Sequence, residues 1–190
     1  ILFNLSDSIS NVLFEKRYAK NILFMVVASD KGLCGSFNSN VFKLFNSILK
    51  KNKYDLDSIN VLPIGKKAYD FFKKGECAII DQFWNRLNGF SYADASNIFD
   101  FVKDEYLNNN IDQVYIIYNE FKNVALQKSV VDQFLPVEKN TNENNAEIIN
   151  KNYLFEPSKS DIADSLIPQT LKTQILKSVF ESNASEQGSR

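Results

Sequence analysis

The spacing of apolar and polar positions changes several times along the chain, and each change marks an element. Residues 22–29 begin with an unbroken apolar run, ILFMVVA, the pattern of a strand buried on both faces. Phe37, Val41, Leu44, Phe45 and Ile48 then recur at helical spacing, which predicts an amphipathic helix over 36–51. A second strand is expected at 59–64, a helix at 66–74 stopped by Gly75, and a short third strand at 77–80. Ser91 is suited to cap a helix whose apolar positions Ala95, Ile98, Phe99, Val102 and Tyr106 face one side, and the cluster Asn108, Asn109, Asn110 ends it. Residues 114–118 read as a fourth buried strand. The partial alternation over 125–137 suits an antiparallel edge or hairpin partner, and 153–155 is a candidate to pair with it. Between them, 138–152 is rich in Asn and Glu and reads as a surface loop. From Pro168 onward Leu171, Ile175, Leu176, Val179 and Phe180 share one stripe, with Pro168 suited to the first turn of the helix.

Strands alternating with helices predict an α/β protein: a three-layer, Rossmann-like domain with a mostly parallel sheet flanked by helices, followed by the beginning of a long C-terminal helix. Composition agrees with a packed body. The 190 residues fit one domain, and 44% hydrophobic content with 16 Phe and 8 Tyr supplies a large core. Lys plus Arg number 22 against 23 Asp plus Glu, so no overall field favours nucleic acid, and no basic stretch interleaved with aromatics offers stacking platforms. The longest apolar run, 22–28, is far short of the roughly 20 residues that cross a bilayer, so the chain is expected to be soluble or peripheral. Histidine is absent, which rules out Ser-His-Asp and Cys-His catalysis and His-ligated zinc. Cys34 and Cys77 lack the spacing of a disulfide framework, so free thiols are expected. Because the sequence starts at Ile1 and stops at Arg190 within a helical pattern, it is expected to be an internal piece of a longer protein.

The loop after the first strand, SDKGLCGSFNSNV at 29–41, is the strongest chemical candidate. Strand, glycines and helix in that order can cradle a phosphate, but the spacing fits neither established cradle. A Walker loop needs G-x-x-x-x-G-K-[ST], whereas Gly32 and Gly35 are three apart and Ser36-Phe37 follow. A dinucleotide fingerprint needs an acidic residue about twenty positions on, at the end of the second strand. Asp55 and Asp57 fall in a polar loop before that strand instead. Spacing favours a tight turn in which glycine supplies special backbone angles, with phosphate binding as the alternative. Cys34 reads as an inert small apolar residue, or as a low-pKa thiol near a helix N-terminus beside Lys31.

Four ordered motifs then point to a family. SDKGLCGSFNSNV (29–41), YNEFKN (118–123), YLFEPS (153–158) and ESNASEQGSR (181–190) closely resemble the gamma subunit of F-type ATP synthases over nearly the whole chain. The sequence departs from that family in length, since a full gamma subunit carries a long helix before this region and continues one beyond it. The resemblance implies three parts: 1–20 as the end of, or linker after, the N-terminal shaft helix; 21–167 as the globular α/β domain; and 168–190 as the start of the C-terminal shaft helix. It implies a non-catalytic central stalk, or rotor, that transmits torque between the membrane c ring and the catalytic alpha/beta ring during proton-driven ATP synthesis. No cofactor, metal or nucleic acid is then expected. Partners would be the alpha and beta subunits, the epsilon subunit and the c ring. Membrane association would come through these partners alone, on the cytoplasmic face of a bacterial membrane or the matrix side of an organelle's inner membrane. By the same resemblance Lys31 and Cys34 lie on the side facing the beta subunits, and Tyr153, Phe155 and Glu156 on the side facing epsilon and the c ring. The inserted cysteine pair of the chloroplast type is missing. Two rival readings are a small α/β nucleotide-binding enzyme using the Gly32 to Gly35 loop, and a thiol redox protein using Cys34.

Overall fold

The computed structural model describes residues 12–80, 82–87, 89–123, 126–138 and 159–190. Strand β1 (Ile22–Val27) leads into helix α1 (Phe37–Asn52), then β2 (Ile59–Ile64), α2 (Lys66–Phe72) and the two-residue β3 (Ala78–Ile79). Helix α3 (Tyr92–Leu107), β4 (Gln113–Asn123), β5 (Leu126–Leu135) and α4 (Lys159–Ser189) follow. The strands form one sheet in the order β3-β2-β1-β4-β5. The first four are parallel, with Phe24 beside Val61 on one side and Tyr115 on the other, and β5 runs antiparallel to β4.

Right-handed crossovers explain the layers. Strands β2 and β3 are added on one side of β1, and the chain then returns to place β4 on the other side. Helices before and after that reversal must cover opposite faces. All six residues of β1 are buried. Phe24 and Val26 meet Val41 and Phe45 of α1 and Ala68 and Phe72 of α2. Leu23, Met25 and Val27 share the other core with Ile98, Phe99 and Val102 of α3 and with Ile167, Leu171, Ile175 and Val179 of α4. A side chain of this size contributes roughly 1.5–3 kcal/mol when fully buried, so both faces are strongly held.

Local signals set the element ends. Ser91 and Asp94 form a reciprocal capping box on α3: the Ser91 amide donates to the Asp94 carboxylate at 2.9 Å, and the Asp94 amide to the Ser91 hydroxyl at 3.4 Å. Asn109 takes a left-handed conformation, φ 58°, just past the helix end. Before β1, residues 15–21 are strapped onto the end of α3. The Arg17 guanidinium donates to the Tyr106 carbonyl at 2.6 Å and lies 4.4 Å from the centre of the Tyr106 ring, while the Tyr106 hydroxyl donates to the Glu15 carbonyl at 2.9 Å. The Asp112 carboxylate accepts from the amides of Lys20 and Asn21, each at 2.9 Å.

One expected boundary is corrected. The last helix starts at Lys159, so Pro168 sits in its interior rather than in its first turn. Proline there removes one backbone hydrogen bond and crowds the carbonyl four residues earlier. Burial of Ile167 and Leu171 on either side offsets that cost. The expected strand at 153–155 lies outside the described residues.

Gly65 joins β2 to α2 with φ 101°, and a Cβ there would come within 2.0 Å of the Ala28 carbonyl oxygen. Backbone rather than side chain blocks the space, so nothing can swing away. Gly89 also has a positive φ, 72°, but a Cβ there would meet nothing within 4 Å. Gly65→Ala is therefore expected to cost about 3 kcal/mol or more in urea unfolding, and Gly89→Ala only about 1 kcal/mol. Equal losses would contradict this account.

Candidate functional site

In an open parallel sheet, ligands bind outside the carboxyl ends of the strands where the winding reverses. Here that point lies between β1 and β4, and the loop after β1 forms one wall. The loop is folded upon itself. The Ser29 amide donates to Asn38 Oδ1 at 3.0 Å and the Ser29 hydroxyl to the Lys31 carbonyl at 2.6 Å. Asn38 Nδ2 donates in turn to the Ser29 hydroxyl at 2.8 Å and the Cys34 sulfur at 3.2 Å. The first amide that could face a phosphate is therefore committed to a side chain in the first turn of α1. Gly35, φ 55°, provides the reversal into α1. Asp30 points the other way, accepting the Lys66 amide at 2.9 Å and so capping α2, whose own N-cap residue, Gly65, has no side chain to do it.

The opposite wall is the C-terminal part of α4. Its apolar row of Ile167, Leu171, Ile175 and Val179 gives way to buried Ser178, Ser182, Ser185 and Glu186 as it crosses the end of β4. The Ser185 hydroxyl donates to the Asn119 carbonyl at 3.1 Å. Asn119 is itself buried, and its Nδ2 donates to the carbonyl of Phe37 in the first turn of α1 at 3.1 Å, while its Oδ1 accepts from the Ser129 hydroxyl of β5. One asparagine thus ties β4, α1, β5 and α4 together. The Ser189 hydroxyl donates to Gln127 Oε1 at 3.1 Å, and the Ser189 carbonyl lies 3.8 Å from where a Cβ on Gly35 would stand. The part of the crevice beside Gly35 and Gln127 is occupied by the last turn of the protein's own helix. What stays open is a polar cleft of about 580 Å³ lined by Asp30, Lys31 and Gly89 on one side and Asn183, Glu186 and Arg190 on the other. Arg190 is engaged there, 2.7 Å from Glu186.

Tyr118 precedes Asn119 in β4, and its hydroxyl donates to Asp132 at 3.0 Å. Burial raises its pKa above the ordinary tyrosine range, and the hydrogen bond to Asp132 and the carboxylates of Asp132, Glu181 and Glu120 add to the effect. The Cys77 thiol is also raised, by burial first and then by Glu76.

Of the residues singled out from sequence, Lys31 is exposed on the cleft rim, whereas Cys34 is 2% exposed and faces inward. Tyr153, Phe155 and Glu156 lie outside the described residues. Sequence reasoning missed Asn119 and Ser185 as individual residues. Both sit in motifs already singled out, and those three motifs, at 29–41, 118–123 and 181–190, converge on this crevice. Among the described residues no cluster of His, Cys, Asp and Glu could hold a metal, and no helix is long and apolar enough to cross a membrane.

Fold and site define a doubly wound α/β domain whose ligand crevice is closed by a long helix of the same chain. The family model described as ATP synthase matches residues 1–190. The ATP synthase gamma chain of Cytophaga hutchinsonii is 38% identical over 198 residues, covering all of this chain and 66% of that relative. That of Geobacter metallireducens is 34% identical, covering 97% of this chain and 63% of the relative. The chain belongs to the ATP synthase gamma-chain family and spans about two thirds of the length of these curated relatives. Its fold is similar to the central stalk and c-ring structure of the Tetrahymena thermophila mitochondrial ATP synthase, with TM-score 0.64, 22% identity, and coverage of 98% of this chain and 81% of that one. It is also similar to the Euglena gracilis mitochondrial ATP synthase rotor, with TM-score 0.61, 17% identity, and coverage of 90% and 64%.

Two measurements check this site. Calorimetry with ATP, ADP or NAD is expected to show no binding tighter than about 100 μM, and tighter binding lost in Gly35→Val would overturn the account. A raised tyrosine pKa stabilises the fold while the phenol keeps its proton, so this contribution is complete below about pH 10 and falls as pH rises toward the folded-state value. Tyr118→Phe should therefore flatten the loss of stability above about pH 10, while costing about 1 kcal/mol at neutral pH from the lost hydrogen bond. An unchanged alkaline slope would sink the assignment.

Proposed function

We propose that this chain is the globular part of the central stalk of a rotary F-type ATP synthase, carrying torque between the c ring and the catalytic alpha/beta ring. The observation that carries the reading is the closure of the crevice by α4. A nucleotide-binding enzyme on this sheet would need that space. A rotor instead needs its long helix fixed to its body, and here the helix is held by a buried apolar row and then by Ser185 on Asn119. Close-packed protein interiors deform little, so a load on the helix passes to the sheet.

The chain itself catalyses nothing in this reading, because the reaction sites belong to other subunits. Lys31, at the exposed loop, meets acidic residues of the beta subunits, and the buried Cys34 supports the loop from beneath. Tyr153, Phe155 and Glu156 serve the epsilon and c-ring side. The protein then works as a peripheral component on the cytoplasmic face of a bacterial membrane, or on the matrix side of an organelle's inner membrane, attached through its partners. Similarity to ATP synthase gamma chains and to a solved central stalk supports the rotor role.

The direct test is rotation. A bead attached at exposed Lys51 of the full-length chain, at the end of α1 away from the Lys31 loop, should turn when ATP is added to a complex with an immobilised alpha/beta ring. A static bead during continued hydrolysis would refute the rotor role. Lys31→Glu should weaken association with the ring at low salt far more than at high salt, because exposed pairs of this kind are worth only about 0.2–1 kcal/mol and are screened. An equal loss at both would point to a folding defect.

A further inference from the structure

Leu33 is placed at a double disadvantage. It is 97% exposed, and its φ of 61° lies in the left-handed region that side chains bearing a Cβ occupy only at a cost. Glycine would relieve the strain and remove the exposed apolar surface, and Gly32 and Gly35 stand within two positions of it. The fold gains nothing visible from leucine at this point. The loop beneath it is rigid, being fixed by the Ser29, Asn38 and Cys34 hydrogen bonds on one flank and by Asp30 on the Lys66 amide on the other. The leucine is therefore held out in one fixed direction, with its ordering cost already met before any partner arrives.

The surroundings are basic. Lys31 and Lys66 are exposed, and Lys67 Cε lies 3.8 Å from the position a Cβ on Gly32 would take. Of the carboxylates nearby, Asp30 is engaged in capping α2 and Glu186, across the cleft from Lys31, is paired with Arg190. An apolar tip with Lys31 in its own loop and Lys66 and Lys67 on the helix beside that loop complements a small hydrophobic hollow rimmed by carboxylates. A single leucine offers too little apolar area to hold a membrane surface, whereas one rigid anchor in a matching pocket is how protein interfaces concentrate their energy.

We propose that Leu33 is a preorganised apolar anchor that seats in a hydrophobic hollow rimmed by carboxylates on a protein partner, with Lys31, Lys66 and Lys67 meeting the rim. This rests on the reading above, in which the same loop faces the alpha/beta ring, and it names the residue that supplies the salt-independent part of that contact.

The test uses the full-length chain and the alpha/beta ring. Leu33→Gly should leave the chain's thermal midpoint unchanged or raise it, because strain is relieved and no buried contact is lost. The same variant should weaken ring association about tenfold, and the loss should persist at about 0.5 M salt, since burial of an apolar side chain is not screened. Lys31→Gln should give a loss that vanishes at that salt. If Lys31→Gln weakens the ring complex and Leu33→Gly does not, the loop is the contact but Leu33 is not its anchor, and the inference fails alone. If neither variant weakens it, the assignment of the loop to the ring falls as well. A clear fall in the thermal midpoint of Leu33→Gly would make Leu33 structural and overturn the proposal. So would Leu33-dependent binding to phosphatidylserine vesicles without any effect on the ring complex.

Discussion

The packing of α4 across the sheet is the constraint on which the rest of the molecule depends. Strand β4 lies between the fully buried β1 and the hairpin partner β5, and α4 covers the face that these strands share with α3. Along most of its length the contact is hydrophobic and non-directional. Near the end it becomes polar and specific, through Ser185 on the Asn119 carbonyl and Ser189 on Gln127. Apolar packing supplies the energy, whereas the hydrogen bonds fix the register, because a helix slid or rotated by one residue would take the buried Ser185 hydroxyl away from the Asn119 carbonyl. The seam carries a cost of its own. The Ser182 hydroxyl and one Glu181 oxygen are buried without a hydrogen-bond partner among the described residues.

This seam also explains how a common fold loses its usual chemistry. The reversal point between β1 and β4 is a ligand site by default in such sheets, because strand ends and helix starts leave a hollow there. Two contacts, both made by the chain itself, obstruct it. Asn38 takes the Ser29 amide, and the last turns of α4 occupy the hollow. Fold class alone would have suggested a nucleotide, and the site argues against one.

Most of the architecture was legible in the sequence, for physical reasons that differ by element. The strand at 59–64 was readable to the residue because a run buried on both faces cannot be mistaken for its polar flanks. Ser91 was readable because a capping residue announces itself locally. Pro168 misled for the same local reason: proline is at home in a first turn, and only tertiary burial of Ile167 and Leu171 shows that the helix began earlier. The loop at 29–36 was found by its glycines, and the burial of Cys34 agrees with its reading as an inert apolar residue, but the left-handed Leu33 does not follow from spacing. Asn119 could not be picked out from its neighbours because its importance lies in partners 82, 10 and 66 positions away.

The Asp30 carboxylate on the Lys66 amide has a consequence for how the chain assembles. Helix α2 has only seven residues, too short to hold together in isolation, and its cap is supplied from 36 positions upstream. It can therefore become stable only after β1 and β2 have paired and brought Ala28 against Gly65. Once formed, helix and loop should open as one cooperative unit, so that a fluctuation which frays the loop at Asp30 also exposes the first turn of α2 to solvent.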